Sequence, residues 1–118
     1  MKMIIAYIQP FMESRVMAAL HQMPEVSGAT FSVVRGFGRG RLKREGSHGE
    51  ANRDDACLVA SSARARLEIF VPDSAVDKVR SAIQSAAHTG NPGDGKILVL
   101  PVERCVQIRT GEEGDTSL

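Results

Sequence analysis

Ile4-Ile5-Ala6-Tyr7-Ile8-Gln9-Pro10 sets a pattern that Leu67-Glu68-Ile69-Phe70-Val71-Pro72 repeats in the second half of the chain. Each stretch is an apolar strand that ends at a proline, a residue without the N–H that a strand ladder needs. An amphipathic segment follows each strand, with apolar residues at helical spacing. These residues are Val16, Ala19, Leu20 and Met23 in the first segment, and Val76, Val79, Ile83 and Ala86 or Ala87 in the second. The two halves therefore share one plan.

A further strand is predicted after each helix, from Ala29 to Gly36 and from Lys96 to Leu100. Asp73 or Ser74 is the predicted N-cap of the second helix. The resulting βαββαβ order predicts an α+β protein with a ferredoxin-like antiparallel sheet and both helices on one face. The length of 118 residues favours a single domain over residues 1–118.

The helix-free face of this sheet is also expected to carry apolar side chains. Ile4 and Ile5 are consecutive in the first strand and must point to opposite faces. An apolar sheet face is rarely left in water, and closed symmetric assemblies are the common way to cover one. Self-association through this face is therefore expected.

Composition excludes several classes of protein. No apolar stretch approaches the ~18 residues of a membrane span, and Met1 to Ile8 lacks the features of a signal peptide, so a cytoplasmic protein that is not inserted in a membrane is expected. The formal net charge of +1 provides no global field for binding nucleic acid. Cys57 and Cys105 have no metal-site spacing and are interpreted as reduced thiols.

A long polar stretch, roughly Phe37 to Ala63, separates the second and third strands. A hairpin needs only two to five residues, and loops this long are usually functional or disordered. We interpret it as a binding loop; the alternatives are a disordered insertion and nucleic-acid binding through its arginine-rich start. The chain has no tryptophan and one tyrosine, so it lacks the stacking platform of an RNA-binding sheet.

The run Thr89-Gly90-Asn91-Pro92-Gly93-Asp94-Gly95-Lys96 fits the letters of a phosphate-binding P-loop in the wrong context. Ile97 stands where a P-loop has its Ser or Thr, and the order is helix, loop, strand. Glycine amides and the Lys96 charge still suit an anion. The alternative is an ordinary Gly- and Pro-rich turn in which Asp94 ties its own loop together. His88 is expected to cap the preceding helix.

The assembled pattern resembles the PII signal-transduction (nitrogen regulatory protein P-II) family over almost the whole chain, in particular a divergent PII-like branch. The resemblance rests on Ile8 to Phe11, Arg35 to Arg39, Thr89 to Lys96 and Ile108 to Glu113. It implies a homotrimer that binds an adenine nucleotide (ATP, ADP or AMP), with or without Mg²⁺, in three inter-subunit clefts. It also implies a T-loop at about 37–58, a B-loop at about 88–96 and a C-loop at about 108–113.

The resemblance further implies a signalling protein, not an enzyme, whose T-loop contacts a partner such as a membrane transporter or a regulated enzyme. A weak phosphohydrolase is the rival from the enzyme class. Arg109 is expected to reach the cleft of the neighbouring subunit. The implied nucleotide-binding residues are Gly36, Phe37, Gly38, Arg39, Thr89, Gly90, Gly93, Asp94, Gly95, Lys96, Gln107 and Arg109. The implied effector and partner residues are Gly40, Arg41, Cys57 and Arg64.

Four departures from the family pattern alter these expectations. Cys57 stands closest to the position of the uridylylated tyrosine, so regulation by uridylylation is not expected. Gly40 replaces the glutamine that holds Mg²⁺ and 2-oxoglutarate, which argues against 2-oxoglutarate sensing. Gln107 replaces an arginine, and Arg64 replaces a lysine.

Two alternative roles come from divergent branches of the family. One is a metal-responsive regulator linked to heavy-metal efflux, for which His48 and Cys57 on the loop are the candidate ligands. The other is a bicarbonate-responsive, carboxysome-type PII-like protein. The sequence does not choose between them.

Overall fold

The computed structural model of the protein describes residues 1–38 and 62–118, and its element order confirms the predicted βαββαβ arrangement. The strands are β1 (Lys2–Ile8), β2 (Thr30–Gly36), β3 (Ser62–Val71) and β4 (Gly95–Pro101). The helices are α1 (Glu13–His21) and α2 (Val76–Ala87). Short 3-10 turns lie at Pro10–Met12, Asp73–Ala75 and Asp115–Ser117.

The four strands form one antiparallel sheet in the order β2-β3-β1-β4. In the register of the central strands, Ile8 lies opposite Ala65 on one side and Gly95 on the other, while Gly36 of β2 lies opposite Ser62 of β3. This is the ferredoxin-like topology, with the predicted long loop between the second and third strands.

One face of the sheet packs under both helices and forms the core. Alternate residues of β1 and β3 supply its floor, because successive side chains of a strand point to opposite faces. The apolar stripes of the two helices cover that floor, as their spacing predicts. The fully buried members with the largest side chains are Ile4, Ile8, Leu67, Ile69, Ile83, Val16, Val71 and Val79. Burial of each such side chain contributes roughly 1.5–3 kcal/mol to folding.

The helix-free face is divided into an apolar half and a charged half. At one end Met3 lies opposite Phe70 and Leu100, and Ile5 lies opposite Leu98. Phe70 and Leu98 each remain 40% exposed, so this half is an apolar surface, as expected.

Towards the other end of the same face, Tyr7 lies between Arg66 and Lys96. Only part of this face is therefore apolar. Arg66 and Lys96 lie towards the end of the sheet from which the long loop and the glycine run extend.

The predicted N-cap of the second helix is wrong. A 3-10 turn precedes α2, and Ala75 occupies its N-cap without a side-chain hydrogen bond. The Asp73 carboxylate instead lies 2.8 Å from the Met1 amino group and 3.2 Å from Lys2 Nζ. These two cations lower the pKa of Asp73. Pairing with the start of β1 therefore replaces local capping.

The segment after β4 folds on itself. Its start is joined to the first residue by a hydrogen bond from Val102 N to Met1 O, and Val106 forms an isolated bridge with Glu113. The Ser117 hydroxyl donates to the Cys105 carbonyl at 3.0 Å. Among residues 1–38 and 62–118, no helix is long and apolar enough to cross a membrane.

Candidate functional site

One end of the sheet gathers three segments that are far apart in sequence. Because the strands are antiparallel, β1 and β2 end where β3 and β4 begin. The glycine run between α2 and β4 therefore lies beside Gln9. The long loop begins after Gly36 and returns before Ser62, at the same end of the sheet. The fold brings together Ile8 to Phe11, the start of the long loop and the glycine run, whereas Ile108 to Glu113 follows the opposite end of β4.

The glycine run follows a path that side chains would obstruct. Gly90, Gly93 and Gly95 have φ values of +87°, +97° and +110°. A Cβ on Gly95 would lie 1.7 Å from the carbonyl oxygen of Tyr7, well inside van der Waals contact. Glycine is required at this position because the β1 backbone occupies the space of a side chain.

Asp94 ties the base of the run together, as the alternative interpretation of the sequence predicts. Its carboxylate accepts the backbone N–H of Thr89 at 2.8 Å, the N–H of Gly90 at 2.9 Å and the Thr89 hydroxyl. The Thr89 hydroxyl, the two amides and nearby His88 together lower the pKa of Asp94. The Gly90 amide already has an acceptor, which the glycine pattern did not indicate.

His88 occupies the C-cap position of α2, where the sequence places it. Its Nδ1 lies 3.8 Å from Asp94 Oδ2, so a protonated His88 would pair with that carboxylate.

The apex of the run is attached to β1 and faces Arg64. Gln9 Nε2 donates to the Gly93 carbonyl at 2.7 Å. Arg64 Nη1 donates to the Ser62 hydroxyl at 2.7 Å and to the Ala63 carbonyl at 2.9 Å. Its Nη2 lies 3.8 Å from the position that a Cβ on Gly93 would occupy. Sequence reasoning missed Gln9, which has no distinguishing pattern around it.

Basic side chains outnumber acidic ones where the charged half of the helix-free face meets the glycine run. Lys96 and Arg64 are both on the helix-free face, and Arg66 lies on the same face, 5.9 Å from the centre of the Tyr7 ring. Arg66 is paired with Glu68 at 2.9 Å, and its Nε is buried without an acceptor in the part of the chain that the structure describes. The surplus positive charge favours an anionic ligand.

A cavity of about 380 Å³ lies on the helix-covered face at this end of the sheet, between the end of α2 and the start of β4. This volume is within the range of small-molecule sites. Its apolar lining residues include Ile8, Ile83, Ala87 and Ile97. Its polar lining residues include Arg80, Gln84, His88 and Asp94.

Gln107 and Arg109 lie in the segment that follows the opposite end of β4. Gln107 N donates to the Glu112 carbonyl at 2.9 Å, Gln107 O accepts from Gly111 N at 2.8 Å, and Gln107 Oε1 accepts the Thr110 hydroxyl at 2.7 Å. Arg109 is exposed. Across the described residues, no hydrogen bond or ion pair joins this segment to the glycine run.

The remaining site predictions concern the long loop. Gly36, Phe37 and Gly38 are exposed at the end of β2. The other loop residues named from the sequence lie outside the described residues: Arg39, Gly40, Arg41, His48 and Cys57. Within residues 1–38 and 62–118, no three His, Cys, Asp or Glu side chains are grouped so that they could hold a metal ion.

Comparison with known proteins matches the whole chain. The family model described as nitrogen regulatory protein P-II covers residues 1–112. The chain is 42% identical to the nitrogen regulatory protein P-II of Azospirillum brasilense and 42% identical to that of Haemophilus influenzae, in each case over all of both chains. It is 40% identical to nitrogen regulatory protein P-II 1 of Escherichia coli K12, again over the full length of both. The chain therefore belongs to the nitrogen regulatory protein P-II family of signal-transduction regulators.

Proposed function

We propose that this chain is a trimeric signalling regulator that binds ATP, ADP or AMP between subunits and acts on a protein partner through its long loop. The observation that carries the proposal is the end of the sheet, where a glycine run of defined shape lies beside Lys96 and Arg64. Family membership supports the regulatory part of this role.

The chemistry of the site favours binding over catalysis. Lys96, and Arg109 from a neighbouring subunit, would neutralise a polyphosphate, and glycine amides would donate to its oxygens. Asp94 is the acidic residue of the glycine run, and its carboxylate already accepts three hydrogen bonds from Thr89 and Gly90. A carboxylate held in this way is a weak general base, so efficient hydrolysis is not expected. Mg²⁺ would accompany ATP through the phosphate oxygens.

The homotrimer is supported by the apolar half of the helix-free face. Phe70 and Leu98 are both 40% exposed in the single chain, beside Met3 and Leu100. A closed ring of three chains would bury this surface around its axis. It would also allow Arg109 of one chain to approach Lys96 of a neighbour, because within one chain the segments that carry them lie at opposite ends of β4.

Regulation would pass through the roots of the long loop. Gly38 follows β2, and Arg64 stands beside Gly93 just after the loop returns. A nucleotide that contacts these roots differently in two loop conformations would shift the population between them. The partner, a membrane transporter or a regulated enzyme, would recognise one of the two.

Isothermal titration calorimetry with ATP, ADP and AMP tests the proposal. We expect the natural chain to bind at least one adenylate, and Lys96→Ala to weaken ATP binding about tenfold or more, since it removes a charge-assisted contact. Lys78→Ala is the matched control, because Lys78 lies in α2 paired with Glu25 and away from the loop. Light scattering should give about three times the 12.7 kDa chain mass. Absence of binding by all three nucleotides would refute the nucleotide-sensor role.

A further inference from the structure

Within residues 1–38 and 62–118, Gln9 at the end of β1 is the side chain that hydrogen-bonds to the apex of the glycine run. Gln9 Nε2 donates to the Gly93 carbonyl at 2.7 Å, across 84 positions of sequence. A Cβ on Gly93 would lie 3.2 Å from that same nitrogen, so the amide fits closely against a residue without a side chain. Gln9 is half-buried, which restricts its side chain on the surface.

This hydrogen bond determines the orientation of a whole peptide group. The carbonyl of Gly93 and the N–H of Asp94 belong to one planar unit and point in opposite directions. Reversing this peptide changes ψ of Gly93 and φ of Asp94. Glycine accepts such a change in ψ at little cost. Asp94 has no positive φ here, but aspartate enters the positive-φ region more readily than most residues. The reversed orientation is therefore within the reach of one lost hydrogen bond.

The two orientations differ in what they present to an anion. With Gln9 bound to the carbonyl, the Asp94 N–H lies on the side away from Gln9 and is directed as a donor. With the peptide reversed, the carbonyl oxygen would take that place and repel a phosphate. The hydrogen bonds of the Asp94 carboxylate fix Thr89 and Gly90 at the base of the run and leave this apical peptide to Gln9.

We infer that Gln9 is a positioning residue, which holds the Gly93–Asp94 peptide so that its N–H rather than its carbonyl faces an anionic phosphate group. The inference rests on the proposed nucleotide binding for its ligand and on the hydrogen bond between Gln9 and Gly93 for its geometry. Gln9 itself need not touch the nucleotide.

Gln9→Met is the decisive variant, because methionine keeps the length of the side chain and removes the donor. Gln22→Met is the matched control, since Gln22 is exposed at the C-cap of α1, near the opposite end of the sheet. We expect Gln9→Met to weaken ATP binding about two- to tenfold, the effect of one ordinary hydrogen bond. Gln22→Met should bind as the natural chain does.

A second readout separates positioning from a general loss of stability. In the nucleotide-free protein, NMR relaxation dispersion of the Asp94 amide should reveal new exchange between two states in Gln9→Met, on the microsecond to millisecond scale. The melting temperature should change little. A lower melting temperature without exchange at Asp94 would assign Gln9 a structural role only and overturn the inference.

The outcomes also separate this inference from the proposed function. If the natural chain binds ATP and Gln9→Met binds equally well, positioning by Gln9 is refuted while nucleotide binding stands. If the natural chain binds no adenylate, the proposed function fails. Exchange at the Asp94 amide then decides whether Gln9 controls the orientation of the Gly93–Asp94 peptide. New exchange in Gln9→Met supports control of the peptide by Gln9, and identical dynamics refute it.

Discussion

Replacing Gly95 with alanine should disrupt the junction between the glycine run and β4. The new Cβ would lie 1.7 Å from the carbonyl oxygen of Tyr7, whereas carbon and oxygen ordinarily approach to about 3.3 Å. The obstructing atom belongs to the backbone of β1 in the middle of the sheet, so no side chain can rotate away. One strand end must move by roughly 1.5 Å, and the pairing of Ile8 with Gly95 is lost.

The cost follows from two contributions. A φ of +110° at Gly95 is unfavourable for alanine by about 1–3 kcal/mol. Loss of ladder hydrogen bonds adds about 0.5–1.5 kcal/mol for each bond. The free energy of unfolding should therefore fall by about 3–5 kcal/mol, which corresponds to a melting temperature lower by about 10–20 °C for a domain of this size.

Thermal unfolding followed by circular dichroism measures this change. Gly28→Ala is the control, because Gly28 has no atom within 4 Å of its Cβ position and no positive φ. It should melt within a few degrees of the natural chain. If Gly95→Ala melts as close to the natural chain as the control does, the argument from the Tyr7 carbonyl is wrong.

Three further predictions concern the loop, the core and the apolar half of the open face. The hydrogen bonds from Thr89 favour the ionised form of Asp94 and lower its pKa below the ordinary aspartate value of 3.8. Their contribution to stability is therefore present above pH 3.8 and is lost as the pH falls through the lowered pKa. An NMR titration that gives Asp94 a pKa of 3.8 or higher would contradict this prediction. Ile69→Ala should cost about 2–4 kcal/mol in urea unfolding, and a loss below ~1 kcal/mol would refute full burial. Leu98→Asp should dissociate the proposed trimer in light scattering, whereas Val33→Asp should not, because Val33 is 74% exposed on the other face; equal masses for the two variants would exclude the open face as the interface.

The order of elements could be predicted from the sequence because both strand–helix units carry their own apolar period. The start of β3 could not. It was expected near Leu67 and lies at Ser62. Between these positions the residues that face the helices are Ala63 and Ala65, whose small side chains give a weak apolar signal, and pairing with β2 extends the strand. Long-range ladder formation therefore decides what local preference leaves open.

The N-cap failed for a similar reason. Asp73 has the local chemistry of a cap, but the fold brings the Met1 amino group and Lys2 to its carboxylate. Two cations compete successfully with a backbone amide for the same oxygens. Neither cation is near Asp73 in sequence, so no local motif could reveal that Asp73 pairs with them instead of capping the helix.

The candidate site was predictable in its glycines and its lysine, and less so in its supporting contacts. Gly93 and Gly95 signal themselves through composition and spacing, because few other residues tolerate such a path. Gln9 makes a hydrogen bond to a residue 84 positions away, and glutamine is common on any surface. The contact becomes visible only when the register of β1 and β4 is known.

The course of β4 has a consequence for genetics. Its seven residues separate Gly95 from Pro101 by about 20 Å, so the glycine run and the segment that carries Arg109 depart from opposite ends of the strand. A cleft assembled from two chains would then need only one intact half from each. Co-expressed Lys96→Ala and Arg109→Ala chains, each defective alone, would rebuild about one cleft in four when they mix at random in a ring. Two loss-of-function alleles would together restore a signal that neither produces alone.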